Sequence, residues 1–309
     1  MILLSAALVP LAGGLRPPEE IRVLGIDQEL YYREKIELAP AYDMMLAGDS
    51  RTHTDLDPAT MASVLNGYRI FNFGFLRLGY SPQYLDRIAS GLDPASRKKC
   101  VVLGVTPLSL TRWAVEDNGF KAMLEQQDGA VARGARPVLD RLRPVRTFLR
   151  PVRPKDLLYA LAGKPPVRIY VENYHANGWR SGISTPPDEA SGLRSFQTFF
   201  DGNTVSPEII AVVLDYTRRW SGAGIKVFAC RPPTTAAMVA LENEKSGFDE
   251  ADFVARFQAA GGHWLPVVQF GRYASFDGSH LDEASARAFS GDLAAGIRDV
   301  LQAQGPGPR

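Results

Sequence analysis

Apolar and polar positions along this chain fall into short blocks with two different periods. Tyr42–Ala47 (YDMMLA), Tyr68–Phe73 (YRIFNF), Cys100–Val105 (CVVLGV) and Ile225–Cys230 (IKVFAC) are compact apolar runs, with His263–Val268 (HWLPVV) a weaker fifth. Such runs suit strands covered on both faces, as in a parallel sheet. Between them the apolar spacing lengthens to that of helices. Asp57-Pro58 reads as an N-cap and first helical residue, with the helix running to about Asn66. Ser81-Pro82 opens a second helix that ends near Gly91, and Ser206-Pro207 opens a third that ends at Gly222 or Gly224. In the third, Ile209, Ile210, Val213, Leu214 and Trp220 form one stripe. Asp249 caps a fourth helix with Phe253, Val254 and Phe257 inward, ended by Gly261-Gly262. A last helix starts near Asp282 and offers Ala284, Ala288, Leu293, Ile297 and Leu301 to the sheet. About five parallel strands joined by helical crossovers predict a three-layer α/β/α, flavodoxin-like domain over residues 40–303.

The rhythm breaks after the third strand. Residues 107–200 show no clean alternation until a strand at Val167–Val171, and they are read as a large insertion or cap. Arg-Pro-Val recurs at 136–138, 143–145 and 150–152, and between Arg133 and Lys155 eight basic residues face one acidic residue, Asp140. The prolines forbid one uninterrupted helix. Two readings stand: a basic face for an anionic membrane or polysaccharide, or a solvated, irregular cap.

Composition narrows the class. The chain has 309 residues, 45% hydrophobic and 22% charged, with 35 Lys plus Arg against 34 Asp plus Glu. The balance supplies no global basic field, so charge does not suggest a nucleic-acid partner. Cys100 and Cys230 are too few for a disulfide scaffold or a cysteine-rich zinc site, and no zinc, calcium or dinucleotide spacing is visible. Neither a metal nor a cofactor is expected. Ile2–Leu15 is apolar but shorter than the roughly 20 residues of a bilayer span. It reads either as the remnant of a membrane anchor or export signal within residues 1–20, or as a buried N-terminal segment. The first reading implies membrane association and a cell-envelope location; a cytoplasmic one stays open.

Two segments carry candidate chemistry. LAGDSRT (46–52) leaves the first strand at the sheet edge where open α/β folds bind ligands. FDGSHL (276–281) precedes the last helix and holds a carboxylate and an imidazole three residues apart. A serine nucleophile needs a base, and the base needs an orienting acceptor; Ser50, His280 and Asp277 supply these roles. Asp49 is read as bracing its turn, Asn72 as holding the loop before Gly74, and His53 as a solvated loop histidine or a second site histidine. Arg51 either contacts an anionic substrate group or pairs structurally with a carboxylate, and Arg231, just past the fourth strand, is a candidate substrate contact.

The pairing of LAGDSRT with a late DGSHL resembles the SGNH, or GDSL-type, hydrolase superfamily, over about 42–106 and 206–303. It resembles in particular the anchored bacterial SGNH-like proteins related to exopolysaccharide O-acetylation. The resemblance implies a nucleophile at Ser50, a base at His280 and a triad acid at Asp277. It also implies an oxyanion hole from the N–H groups of Ser50 and Gly74. The family's third block usually supplies Asn where this chain has Thr106, so Thr106 is the candidate third donor. The implied activity is ester hydrolysis on O-acyl, chiefly O-acetyl, groups of a carbohydrate or small ester. Alternatives are acetyl transfer to polysaccharide through the same triad, or a non-catalytic envelope glycan-binding module.

Overall fold

The computed structural model describes residues 19–128, 168–268 and 271–303. The N-terminal apolar run, the Arg-Pro-Val repeats and the basic stretch lie outside them. In chain order the elements are β1 (Glu19–Gly25), α1 (Gln28–Ile36), β2 (Met44–Gly48), α2 (Ser50–Asp55), α3 (Pro58–Val64) and β3 (Ile70–Asn72). Next come α4 (Pro82–Gly91), β4 (Cys100–Gly104), α5 (Arg112–Glu116), α6 (Gly119–Asp128), β5 (Arg168–Tyr174), β6 (Arg180–Thr185) and α7 (Glu189–Phe199). The chain closes with α8 (Pro207–Gly222), β7 (Lys226–Cys230), α9 (Ala236–Ser246), α10 (Glu250–Ala259), β8 (His263–Trp264) and α11 (Glu283–Ala303).

Five strands form an all-parallel sheet in the order β3-β2-β4-β7-β8. Alternate side chains of a strand point to opposite faces, and both faces are buried. Met45, Ala47, Val101, Leu103, Val227 and Ala229 pack with Leu85 and Ile88 of α4, Val213 and Trp220 of α8, and Phe253 and Phe257 of α10. Met44, Leu46, Cys100, Val102, Phe228 and Cys230 pack with Met61 of α3 and Phe289, Leu293 and Ile297 of α11. The protein is therefore α/β, with the central sheet flanked by helices. The helix caps follow the sequence: Asp57, Ser81 and Asp249 each accept a backbone N–H from the first turn.

Three expectations shift. The fifth strand shortens to two residues: the Leu265 N–H makes its last bond to β7, to the Ala229 carbonyl at 2.8 Å, and the residues after it leave the ladder. In α11 the buried stripe is Ala286, Phe289, Ser290, Leu293, Ala294 and Ile297, while Ala284 and Ala288 are exposed; the bulky Phe289 sets the phase. The segment after β4 is not simply a cap. Its β5–β6 hairpin joins β1 in a second, three-stranded sheet ordered β1-β5-β6, with β1 and β5 parallel and β5 and β6 antiparallel. This small sheet stands beside the carboxyl edge of the large one, and contacts run from α2 to β6.

Candidate active site

The site starts where β2 stops. Gly48 pairs with Gly104 of β4, which pairs with Cys230 of β7, so the three strands end level. Residues just past those ends share one rim. Gly48 turns with φ +155°, and a Cβ there would sit 2.2 Å from Thr52 Oγ1. Asp49 then caps α2 by accepting the Arg51 N–H at 3.0 Å, and Ser50 becomes the first residue of that helix. The second segment, between the small sheet and α11, lies over the same rim.

Ser50, His280 and Asp277 form one hydrogen-bonded row. Ser50 Oγ lies 2.8 Å from His280 Nε2, and His280 Nδ1 lies 2.7 Å from Asp277 Oδ2. Burial pushes the Asp277 carboxyl up. The adjacent His280 charge, its side-chain hydrogen bond and the His280 and Ser279 N–H groups outweigh this and bring it to about 2. An ionised carboxylate only accepts, so Nδ1 carries a proton, and in the neutral imidazole the Nε2 lone pair then faces the Ser50 hydroxyl. A serine hydroxyl beside the free lone pair of an oriented imidazole can be deprotonated as it attacks an electrophile.

The loop that carries His280 is tied from several sides. Leu281 N–H donates to Asp55 Oδ1 at 2.9 Å, and Gly192 N–H donates to the Asp277 carbonyl at 2.7 Å. The hydroxyls of Thr234 and Thr235 both donate to the Gly278 carbonyl at 3.0 Å. Phe276 stacks against the His280 ring at 6.0 Å. Asp55 is fully buried, and its carboxyl is pushed well up by that burial. Sequence reasoning passed over Asp55; its place one turn and a half after Ser50 was the available signal.

The remaining candidates sit elsewhere than expected. Arg51 is fully buried, donates to Glu242 Oε1 at 2.6 Å and reaches Ser279 Oγ with Nε at 3.3 Å. Arg231 is 3% exposed and pairs at 2.8 Å with both Glu242 and Glu250. Both arginines thus belong to a buried ion network behind the nucleophile and are not substrate contacts. Thr106 donates its single hydroxyl proton to Asp49 Oδ2 at 2.5 Å, so it is not the third oxyanion donor. Gly74 packs against the His53 backbone, and its N–H donates to Asn72 Oδ1 at 2.9 Å, so it is engaged as well. Asn72 also donates to the Thr52 and Leu56 carbonyls, which fixes that loop. Among the described residues the Ser50 N–H has no acceptor, which leaves it open toward an oxyanion. His53 is neither solvated nor at the site: it is fully buried, with Nε2 2.7 Å from the Tyr31 hydroxyl.

Ser50, Asp277 and His280 open into a cleft of about 400 Å³. Tyr170, Arg180 and Ser184 of the small sheet line part of it, and Leu76, Leu108 and Phe196 line another part. Beyond the strand expected at Val167–Val171, the sequence did not show the small sheet's contribution, because its contacts are remote in the chain: β5 pairs with β1, and Trp179 Nε1 donates to the Thr54 carbonyl at 2.6 Å. Among the described residues no three side chains are grouped to hold a metal ion, and no helix is long and apolar enough to cross a membrane. No family model, no curated protein and no solved structure matches this chain.

Proposed function

We propose that this protein is a serine esterase of SGNH type, acting on O-acyl groups of a carbohydrate or small ester, in the cell envelope. One observation carries the reading: the Ser50–His280–Asp277 row, at 2.8 and 2.7 Å, opening into a cleft. Its support from sequence is the resemblance of LAGDSRT and DGSHL to that superfamily.

In this reading Ser50 Oγ attacks the ester carbonyl while His280 Nε2 takes its proton. Asp277 holds the tautomer and stabilises the imidazolium. The Ser50 N–H faces the developing oxyanion. The bond from the acyl carbon to the alcohol oxygen breaks, and His280 returns its proton to that oxygen. Water, deprotonated by His280, then attacks the acyl-enzyme and releases the acid. A sugar hydroxyl in place of water gives a polysaccharide O-acetyltransferase from the same intermediate.

A second reading, a non-catalytic glycan-binding module, is favoured by the engagement of Thr106 with Asp49 and of Gly74 with Asn72. One missing oxyanion donor costs about 2.7–4 kcal/mol of transition-state stabilisation where it has been measured. The two readings separate on p-nitrophenyl acetate turnover by wild type and Ser50→Ala, and on fluorophosphonate labelling read by mass spectrometry. An adduct on Ser50 with Ser50-dependent turnover supports the esterase. Equal background rates and no adduct, with glycan binding that survives Ser50→Ala, favour the module.

A further inference from the structure

The cleft has room for more than an acetyl group. One water takes about 30 Å³ of liquid volume, and at that scale a cavity of about 400 Å³ holds roughly a dozen heavy atoms. An acetyl group supplies three of these, and the remainder is filled by the alcohol or by a longer acyl chain, between which the lining decides. The cleft also falls in the size class that accommodates extended ligands.

Its lining is chemically divided. Leu108 and Phe196 belong to one buried apolar cluster, and Phe199 packs against it. Phe199 also stacks on Trp113 at 5.1 Å, so this wall is rigid. Leu76, 39% exposed, extends this apolar lining, while Ile21, 53% exposed, stands on the other side, paired with Tyr170 in the small sheet. Large apolar side chains left wet inside a concave site mark the place of an apolar ligand. The cationic groups in the cleft already have anionic partners: Arg180 pairs with Glu172 at 2.8 Å, Arg168 with Asp188 at 2.7 Å, and Arg77 with Asp117 at 3.1 Å. An anionic substrate group would have to displace one of these carboxylates, whereas an alkyl chain displaces only water.

We infer that the ester recognised here carries an apolar acyl chain of about four to eight carbons, half of the cavity at the scale above, rather than acetyl. The chain lies along Leu76, Leu108, Phe196 and Phe199, and the alcohol lies toward Tyr170 and Ser184. This inference rests on the Ser50–His280–Asp277 reading. The step is the same: Ser50 Oγ bonds the acyl carbon, the bond to the alcohol oxygen breaks, and the Ser50 proton passes through His280 to that oxygen. Water then releases the medium-chain acid.

The test is a p-nitrophenyl ester series from acetate through butyrate and hexanoate to octanoate, with Ser50→Ala as the blank. Labelling with an ethyl and an octyl fluorophosphonate runs in parallel. A fully buried methylene favours binding by about fourfold, so partial burial across the series raises kcat/KM about tenfold from acetate to hexanoate. The octyl probe labels Ser50 faster than the ethyl probe. Leu76→Trp, which fills the mouth, moves the optimum back toward acetate, with circular dichroism reporting its fold. Should that variant not fold, the wild-type series and the two probes still decide. Ser50-dependent hydrolysis that is as fast or faster on acetate than on hexanoate, with equal labelling by both probes, overturns the inference and leaves the esterase reading standing. No Ser50-dependent turnover on any ester and no adduct from either probe removes both.

Discussion

His280 Nε2 lies 2.8 Å from Ser50 Oγ although 230 residues separate them in the chain. The approach is held by bonds on either flank of the histidine: Arg51 Nε to Ser279 Oγ at 3.3 Å before it, and Leu281 N–H to Asp55 Oδ1 at 2.9 Å after it. Arg51 and Asp55 both ride on α2, the helix that begins with Ser50. Nucleophile and base are therefore registered against each other by one helix.

The orientation of His280 comes from Asp277, and this gives the first prediction. Asp277→Asn places an amide against Nδ1, whose N–H donor favours the tautomer with its lone pair on Nδ1 and its proton facing Ser50. The expected loss in kcat is about 10⁴-fold, as for a triad acid replaced by its amide. Ester turnover and the rate of fluorophosphonate labelling measure it. A variant within tenfold of wild type on both counts would show that Asp277 does not set the tautomer.

Asp277 also links stability to pH. Its carboxyl sits at about 2 in the folded protein against an ordinary 3.8. A depressed carboxyl stabilises the fold above its unfolded value, and that contribution disappears as the pH falls through the folded value. At 1.36 kcal/mol per unit the contribution is roughly 2 kcal/mol. Thermal melts between about pH 5 and pH 2 should therefore steepen in wild type relative to Asp277→Asn.

The apolar runs made the central sheet legible, because β2, β4 and β7 are buried on both faces and read as continuous strands. Ser50, Asp277 and His280 were legible because each lies beside a predicted strand end or helix start. Of the small sheet only β5 was, as the strand expected at Val167–Val171. Glu19–Gly25 (EEIRVLG) opens on two glutamates and lacks a clean alternation, and its partner is distant: Ile21 pairs with Tyr170. For Arg51 the carboxylate pairing that the sequence left open is the one found, while Arg231 read as a substrate contact because its partner Glu242 sits on a separate helix that no local pattern connects to it. The same blindness applies to Thr106, whose hydroxyl reads as a donor until Asp49 is seen to take its proton.

Glu242 is the keystone of that buried network, with both Arg51 and Arg231 on one carboxylate that has no exposure. Glu242→Gln leaves two buried guanidinium groups without their shared counter-charge. Breaking one side of a buried pair costs about 3–5 kcal/mol, and a urea midpoint shift should register a loss of that size. Because Arg51 reaches Ser279, the residue before His280, labelling of Ser50 should slow in whatever fraction remains folded. An unchanged midpoint would mean that the arginines find other partners.

Gly278 stands between the acid and the base. It adopts φ +86°, and a Cβ there would lie 1.9 Å from the Glu189 carbonyl oxygen. The left-handed conformation alone costs an ordinary residue roughly 1–2 kcal/mol, and the obstructing atom is backbone at the start of α7. Gly278→Ala must therefore move the Asp277–His280 loop away from α7. Turnover should fall at least about 100-fold, the scale on which a displacement near 1 Å acts, with only a modest fall in melting temperature. Near-wild-type turnover would show that α7 yields instead.

Lys35 poses the last test. It is fully buried and donates to the Gly178 carbonyl at 2.8 Å and to the Tyr31 hydroxyl at 3.1 Å, with no carboxylate partner among the described residues. Burial, aided by the Arg180 charge, holds its amine well below the ordinary 10.5, so the folded state gives up the proton at a lower pH than the unfolded chain does. The unfolded chain keeps the proton up to about 10.5, and stability rises with pH wherever the unfolded state binds more protons. Wild type should therefore gain stability as the pH is raised from about 7 toward 9. Lys35→Met keeps the stem without the amine, and the Gly178 carbonyl retains the Tyr31 hydroxyl as donor. The variant should be more stable than wild type at neutral pH, by about 1.4 kcal/mol for each pH unit by which burial lowers the amine, and should lose the rise with pH. Urea midpoints at the two pH values measure both effects. A less stable Lys35→Met with an unchanged slope would mean that the amine is charged in the fold and holds α1 to the β5–β6 hairpin through its hydrogen bonds.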